Sequence, residues 1–206
     1  FDGFTGLKNI SSETVLIPET VTYIGNNAFR NCSSVTSIEI PNFVTSIGDW
    51  SFQNCSSVTK INFGTGLQTI GTGAFCNCSK LPNLIVSEGL KTIGDCAFQN
   101  CNALTEVYLP STLENITNNT SSSYAPFYNC NNITKITVPQ YVTGSRDLTY
   151  VFYYSRGKIK DIYLDSNVTS ITSNGLSGFS DVTLHFKESI PSGAPWGGSN
   201  VKTVQE

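Results

Sequence analysis

The sequence predicts a strand-rich solenoid of the α/β class, in which short parallel strands stack coil upon coil. Three observations carry that expectation: a strict 23-residue period, an alternating apolar frame inside each period, and prolines that close the frame.

The period organises everything else. Cys32, Cys55, Cys78 and Cys101 stand 23 residues apart, as do Phe29, Phe52, Phe75 and Phe98. Ile24, Ile47, Ile70, Ile93 and Ile116 keep the same step, and Gly25, Gly48, Gly71 and Gly94 follow all but the last of them. Self-similarity at roughly 20–29 residues with L-x-x-L-x-L spacing is the signature of a leucine-rich-repeat solenoid, because one such unit cannot bury its apolar face until a neighbour stacks on it.

The frame appears as Val35/Ile38/Ile40, Val58/Ile61/Phe63, Leu81/Leu84/Val86, Leu104/Val107/Leu109, Ile133/Ile136/Val138 and Ile159/Ile162/Leu164, with a looser copy at Val182/Leu184/Phe186. Alternating apolar residues with β-branched neighbours read as short strands with one inward face. With Val15/Ile17 as a partial first copy, about eight short parallel strands are expected on the concave face. Pro18, Pro41, Pro110 and Pro139 then remove a backbone donor and turn the chain. The Gly-x-x-Ala-Phe-x-x-Cys segments, Gly25–Cys32 and Gly94–Cys101, are too short for a long helix and suit single helical or 3₁₀ turns on the convex face.

The run Ile40-Pro41-x-x-Val44-Thr45-x-Ile47-Gly48-x-x-Ser51-Phe52-x-x-Cys55 resembles the BspA-type leucine-rich repeat, specifically across residues 15–139 and more loosely beyond. The resemblance implies a large, exported protein at the surface of a host-associated bacterium, ahead of a parasitic protist, and a role in adhesion.

The solenoid is expected over residues 1–186, with 1–14 a truncated first coil in which Phe4 and Leu7 are apolar remnants. Residues 187–206 leave the repeat and read as a C-terminal cap, with Trp196 laid over the last coil. The chain starts at Phe1 without a Met, which fits a processed product or an excised piece. Two departures interrupt the pattern. Asn118–Ser123 form a polar insertion between Ile116 and Phe127, and Tyr150, Phe152, Tyr153 and Tyr154 replace the small-residue pattern between Pro139 and Ile159. Those rings either fill the core of a divergent coil or form a sticky patch for a partner.

Composition bears on partners. Only 13% of residues are charged, against about 25% in ordinary globular chains, and the net charge is −3. Such a surface offers no basic field for nucleic acid or anionic lipid. Apolar runs fall far short of the roughly 20 residues that span a bilayer, so no membrane insertion is expected.

Catalytic and metal chemistry finds few candidates. His185 is the single histidine, which removes H-E-x-x-H and Cys₂His₂ patterns, and its outward strand position reads as a solvated surface residue. Cys32, Cys55, Cys78, Cys101 and Cys130 share one inward phase and read as a packed column of free thiols. Cys76 and Cys96 fall outside that phase and are expected to be more exposed, with a disulfide between them left open. Gly64–Gly66 and Gly71–Gly73 extend to no phosphate-binding motif, and no G-x-S-x-G elbow occurs. The nine Asn-x-Ser/Thr sequons, Asn31, Asn54, Asn77 and Asn132 among them, recur mostly because the repeat recurs. No cofactor and no enzyme activity are therefore expected.

What remains is a binding surface. Strand alternation puts Glu39, Asn62, Ile85, Tyr108, Thr137, Tyr163 and His185 in one outward row, beside a second row of Ser37, Lys60, Asn83, Glu106, Lys135, Asp161 and Thr183. The sequence thus points to a non-enzymatic, secreted or cell-surface module that binds a host or neighbouring-cell protein or glycan. A passive spacer within a larger surface protein and a hydrolase with non-local carboxylates are the competing readings.

Overall fold

The computed structural model describes residues 13–116, 124–139, 148–166, 168, 170, 171, 173, 175–187 and 196–206. The Asn118–Ser123 insertion and the Phe4 and Leu7 remnants lie outside the described residues.

The inward frame folds as expected, one strand per copy. These strands are β1 (Thr14–Leu16), β3 (Ser37–Glu39), β5 (Lys60–Asn62), β7 (Asn83–Ile85), β9 (Glu106–Tyr108), β11 (Lys135–Val138), β12 (Asp161–Leu164) and β13 (Thr183–Phe186). All pairing is parallel and in register, so that Leu84, Val107, Ile136, Ile162 and Leu184 form one buried row. A ninth strand, β14 (Lys202–Gln205), continues the ladder beyond β13 within the segment read as a cap. It escaped the pattern because all four residues are exposed, as befits a strand with no described coil stacked on its far side. Trp196 is buried against the last coil, where its carbonyl accepts the Leu176 N–H.

The isoleucine of each early period forms a second row of two-residue strands: β2 (Tyr23–Ile24), β4 (Ser46–Ile47), β6 (Thr69–Ile70), β8 (Thr92–Ile93) and β10 (Asn115–Ile116). These pair as one five-stranded sheet.

The helical or 3₁₀ turns expected on the convex face are replaced by tight turns, a correction with a clear backbone cause. Asn27, Trp50, Gly73 and Cys96 have φ of 54–60°, and Asn31, Asn54, Asn77, Asn100 and Asn129 have φ of 59–67°. A left-handed residue at every fourth position stops any right-handed helix. Alternate N–H groups also point along the solenoid: those of Asn27, Phe29 and Asn31 donate to Asp49, Ser51 and Gln53 of the next coil. A helix would keep those donors to itself. Among the described residues the one α-helix is α1, Leu148–Val151.

Three columns run through the stack. Phe29, Phe52, Phe75, Phe98, Phe127 and Phe152 stack with centroids 5.0–5.5 Å apart and planes within 12°. Beside them, Cys55, Cys78, Cys101 and Cys130 each donate Sγ–H to a phenylalanine carbonyl of the preceding coil, at 3.0–3.6 Å. The third column is an amide ladder in which Asn54, Asn77, Asn100 and Asn129 each donate to the preceding asparagine at 2.6–2.8 Å. The sequons at Asn31, Asn54 and Asn77 are thus built from ladder residues.

All seven cysteines are free and buried, which corrects the expectation for Cys76 and Cys96. Cys76 shares its phase with Arg30 and Gln53, and Cys96 with Asn27 and Trp50; the thiol is short enough to stay in the shadow of the neighbouring coils. Burial pushes all but one of these thiols upward, Cys55 to about 12.

Candidate interaction surface

The strand face is not continuous. Strand β5 pairs with β3, and β7 with β9, but no ladder joins β5 to β7, whose Cα atoms stand mostly beyond 8 Å. Pro82 is the cause. At its phase position Thr59, Thr105, Thr134 and Lys160 each donate a backbone N–H to the preceding coil, and proline has none to give. The hydroxyls of Thr36, Thr59, Thr105 and Thr134 make a second bond to the preceding coil, also lost at Pro82. A cleft of about 390 Å³ opens there, lined by Lys60, Ile61, Asn62, Phe63, Asn83 and Ile85 among others.

The break divides the predicted site residues. On one side Asn62 donates to both oxygens of Glu39, at 2.8 and 2.6 Å, with Lys60 exposed beside them. On the other, register aligns Ile85, Tyr108, Thr137, Tyr163 and His185, and next to them Glu106, Lys135 and Asp161.

Within that second group the side chains touch. Tyr108 donates its hydroxyl to Glu106 Oε2 at 2.6 Å, and this bond to a carboxylate pushes the phenol pKa up. Lys135 Nζ lies 5.6 Å from the Tyr108 ring centroid and 4.7 Å from that of Tyr163, a cation between two π faces. Contact with the Tyr108 phenol raises the Lys135 pKa, so the ammonium stays charged. Tyr163 stacks on His185 with centroids 4.1 Å apart and planes 6° apart.

His185 occupies its expected row but is not the solvated residue anticipated: its side chain is 14% exposed. Nε2 sits 3.0 Å from Asp161 Oδ1, and Nδ1 lies 2.8 Å from Glu206 Oε1, at ion-pair distance but off the line of a directed hydrogen bond. Strand β14 brings Glu206 there, which the sequence pattern could not show. The result is a half-buried polar strip in which Lys135 and His185 cover faces of the tyrosine rings. It can present hydrogen bonds and charge to a partner. Among the described residues no group of three or more His, Cys, Asp or Glu side chains could hold a metal ion.

The divergent segment between Pro139 and Ile159 splits its aromatics. Phe152 enters the core column, while Tyr153 and Tyr154 are exposed. Tyr154 contacts Tyr128 and Tyr153 edge-on at 4.6 and 5.3 Å, and Arg156 lies over Tyr153 at 4.2 Å.

The profile of the BspA type leucine rich repeat region matches residues 4–125 and 117–192 in six copies. Comparison with curated protein sequences gave no match. Among solved structures, the T. pallidum leucine-rich repeat protein TpLRR is similar at 19% identity and a TM-score of 0.57, over 89% of this chain and 77% of that one. The pneumococcal vaccine antigen PcpA is similar at 18% identity and 0.65, over 94% of this chain and 55% of that one. A leucine-rich repeat protein from Bacteroides ovatus is similar at 22% identity and 0.53, over 96% and 70%. At these identities the structures speak for the fold, and the profile match over most of the chain speaks for descent: the chain belongs to the BspA-type leucine-rich-repeat family.

Proposed function

We propose that this chain is a non-enzymatic binding module of a secreted or cell-surface bacterial protein, engaging a host or neighbouring-cell protein or glycan through its strand face. One observation carries the reading. In a chain with 13% charged residues, the register gathers Glu106, Tyr108, Lys135, Asp161, Tyr163 and His185 into one contiguous outward strip. Repeated inward residues maintain the scaffold, while this strip differs from coil to coil, as a surface with its own specificity requires. Family membership supports export and surface display, and the description of PcpA as a vaccine antigen agrees with that placement.

The test is a screen of the protein against immobilised host matrix proteins and a glycan array. Replacing Tyr108 and Tyr163 together with Ala should weaken a selective partner by at least ~2 kcal/mol. Survival of affinity in that double variant, with loss on shortening Asn118–Ser123, moves the site to the inserted loop. The spacer reading is favoured by the unbroken phenylalanine, cysteine and asparagine columns, which suit a rod, and it predicts no selective ligand at all.

A further inference from the structure

We infer that the sheet break at Pro82 is a slot for an extended peptide segment of a partner protein, bound by strand addition between β5 and β7. The inference rests on the reading of the strand face as a binding surface, and it locates on that face a site separate from the Tyr108–His185 strip.

Four features of the slot point to this occupant. Backbone chemistry comes first. In a parallel ladder successive residues turn their N–H and C=O groups to opposite neighbours. Lys60 and Asn62 face β3, so Ile61 faces the gap, while Asn83 and Ile85 face it from the other side. No described residue pairs with these groups, and none donates to the Thr59 C=O. Two half-made strand edges therefore confront one another, and the ligand that offers alternating N–H and C=O groups at strand spacing is another strand.

Width agrees with this. Paired strands lie about 4.8 Å apart, and one inserted strand doubles that to roughly 9.6 Å. β5 and β7 stand farther apart than paired strands do, and just beyond them Ser87 Oγ donates to the Phe63 C=O at 3.1 Å and closes that end of the slot. The floor is apolar and open. Ile61 and Phe63 are half-buried, whereas Ile38, Ile40, Leu84 and Val86 in the same phases are buried. A peptide residue pointing inward between Ile61 and Leu84 would complete the row that the break interrupts.

Charge sets the remaining preference. Lys60 is the one charged residue lining the cleft, it is exposed, and no carboxylate pairs with it among the described residues. Exposed Ile85 stands opposite. The slot therefore fits a short segment with an apolar residue inward, an acidic outward residue next to Lys60, and an apolar or β-branched outward residue next to Ile85.

The experiment selects a phage-displayed library of random seven-residue peptides on the immobilised protein, beside hydrogen exchange of the free protein. Pro82→Thr restores the residue type of the neighbouring coils and should close the slot; Lys60→Glu leaves the backbone alone and reverses its charge. Enriched peptides should alternate apolar and polar residues with an acidic member. They should lose about tenfold or more in affinity to either variant and stay within about twofold on Tyr108→Ala/Tyr163→Ala. In the free protein the Asn83 and Ile85 amides should exchange faster than those of Glu106 and Tyr108, and Pro82→Thr should slow them. Absence of enrichment, enriched peptides indifferent to Pro82→Thr, or Asn83 and Ile85 amides as protected as their β9 counterparts would each overturn the proposal. Peptides lost only with the tyrosine pair would sink the slot and leave the strip standing; a partner lost only with Pro82→Thr would do the reverse for the strip.

Discussion

Phe52 offers the most direct measure of what holds the coils together. Its side chain is fully buried and stacks on Phe29 at 5.0 Å and on Phe75 at 5.2 Å, with interplanar angles of 7° and 1°. Truncating a buried phenylalanine to alanine costs about 3–5 kcal/mol in transfer and cavity terms. Each lost ring pair is worth roughly 0.5–1.5 kcal/mol beyond area, which places Phe52→Ala near the upper end, at about 4–5 kcal/mol. Phe152 is the matched control: it is equally buried, but among the described residues it stacks on Phe127 alone. Phe152→Ala should therefore cost about 1 kcal/mol less than Phe52→Ala. Phe43, at 66% exposure, should tolerate alanine within about 0.5 kcal/mol. Urea denaturation followed by circular dichroism and by tryptophan fluorescence reads all three, and coincident transitions justify two-state treatment. A loss below about 0.5 kcal/mol at Phe52 would refute its inward placement. Equal losses at Phe52 and Phe152 would show that the second stacked ring adds nothing measurable.

Three further outcomes follow from local geometry. Gly73 has φ +59°, and a Cβ built on it would lie 2.0 Å from the Trp50 ring, so Gly73→Ala should cost about 2 kcal/mol or more, while Gly157→Ala, with nothing within 4 Å, should be silent in the same denaturation assay. Ser51 buries a hydroxyl with no partner where Ala28, Ala74 and Ala97 stand in other coils, so Ser51→Ala should be neutral or stabilise by about 1 kcal/mol in the urea midpoint analysis. The buried thiols should resist alkylation at pH 8 until the chain unfolds. Because Cys55 is raised from 9.0 to about 12, the unfolded state releases its proton first, so that contribution to stability is complete below pH 9 and is lost as pH rises toward 12. Rapid labelling of native protein, or stability that climbs above pH 9, would contradict the buried column.

Much of the scaffold was legible because a solenoid writes its core in period. Val107, Ile136, Ile162 and Leu184 could be placed inward from spacing alone, and the outward rows follow from the same alternation. Features that depend on the next coil were not legible. The two-residue strands such as Ser46–Ile47 are too short to show alternation. The asparagines before each phased cysteine recur visibly, yet their left-handed backbone and lateral bonds exist only once coils stack. The helical expectation failed at those residues. Burial of His185 depends on Glu206 and Tyr163, both brought in from other strands. Pro82 departs from threonine at a polar phase that the apolar spacing does not register, so the break it accompanies in the sheet was not legible either.

Repeated positions in this chain maintain the rod, so departures from the repeat are where its local properties change, and Pro82 allows that idea to be weighed in stability. The coils on either side of the break remain joined by β6 and β8, by Phe75 on Phe98 at 5.4 Å, by Cys101 Sγ donating to Phe75 O, and by Asn100 donating to Asn77. In a solenoid each interface contributes nearly independently, so this one can be weak while its neighbours hold. Pro82→Thr restores one backbone donor and one hydroxyl directly. If the strands then close, a further two or three ladder bonds form and Ile61 and Phe63 finish their burial. At a net 0.5–1.5 kcal/mol per hydrogen bond, these four or five bonds give an expected gain of about 2–7 kcal/mol, less the entropy that proline removed from the unfolded chain, on the order of 1 kcal/mol. A higher urea midpoint for Pro82→Thr, with newly protected Asn83 and Ile85 amides, means that the wild-type chain carries an interface weaker than its own repeat would build. An unchanged or lower midpoint means that proline does not hold the strands apart, and the cause of the break must then be sought in the cleft's other residues.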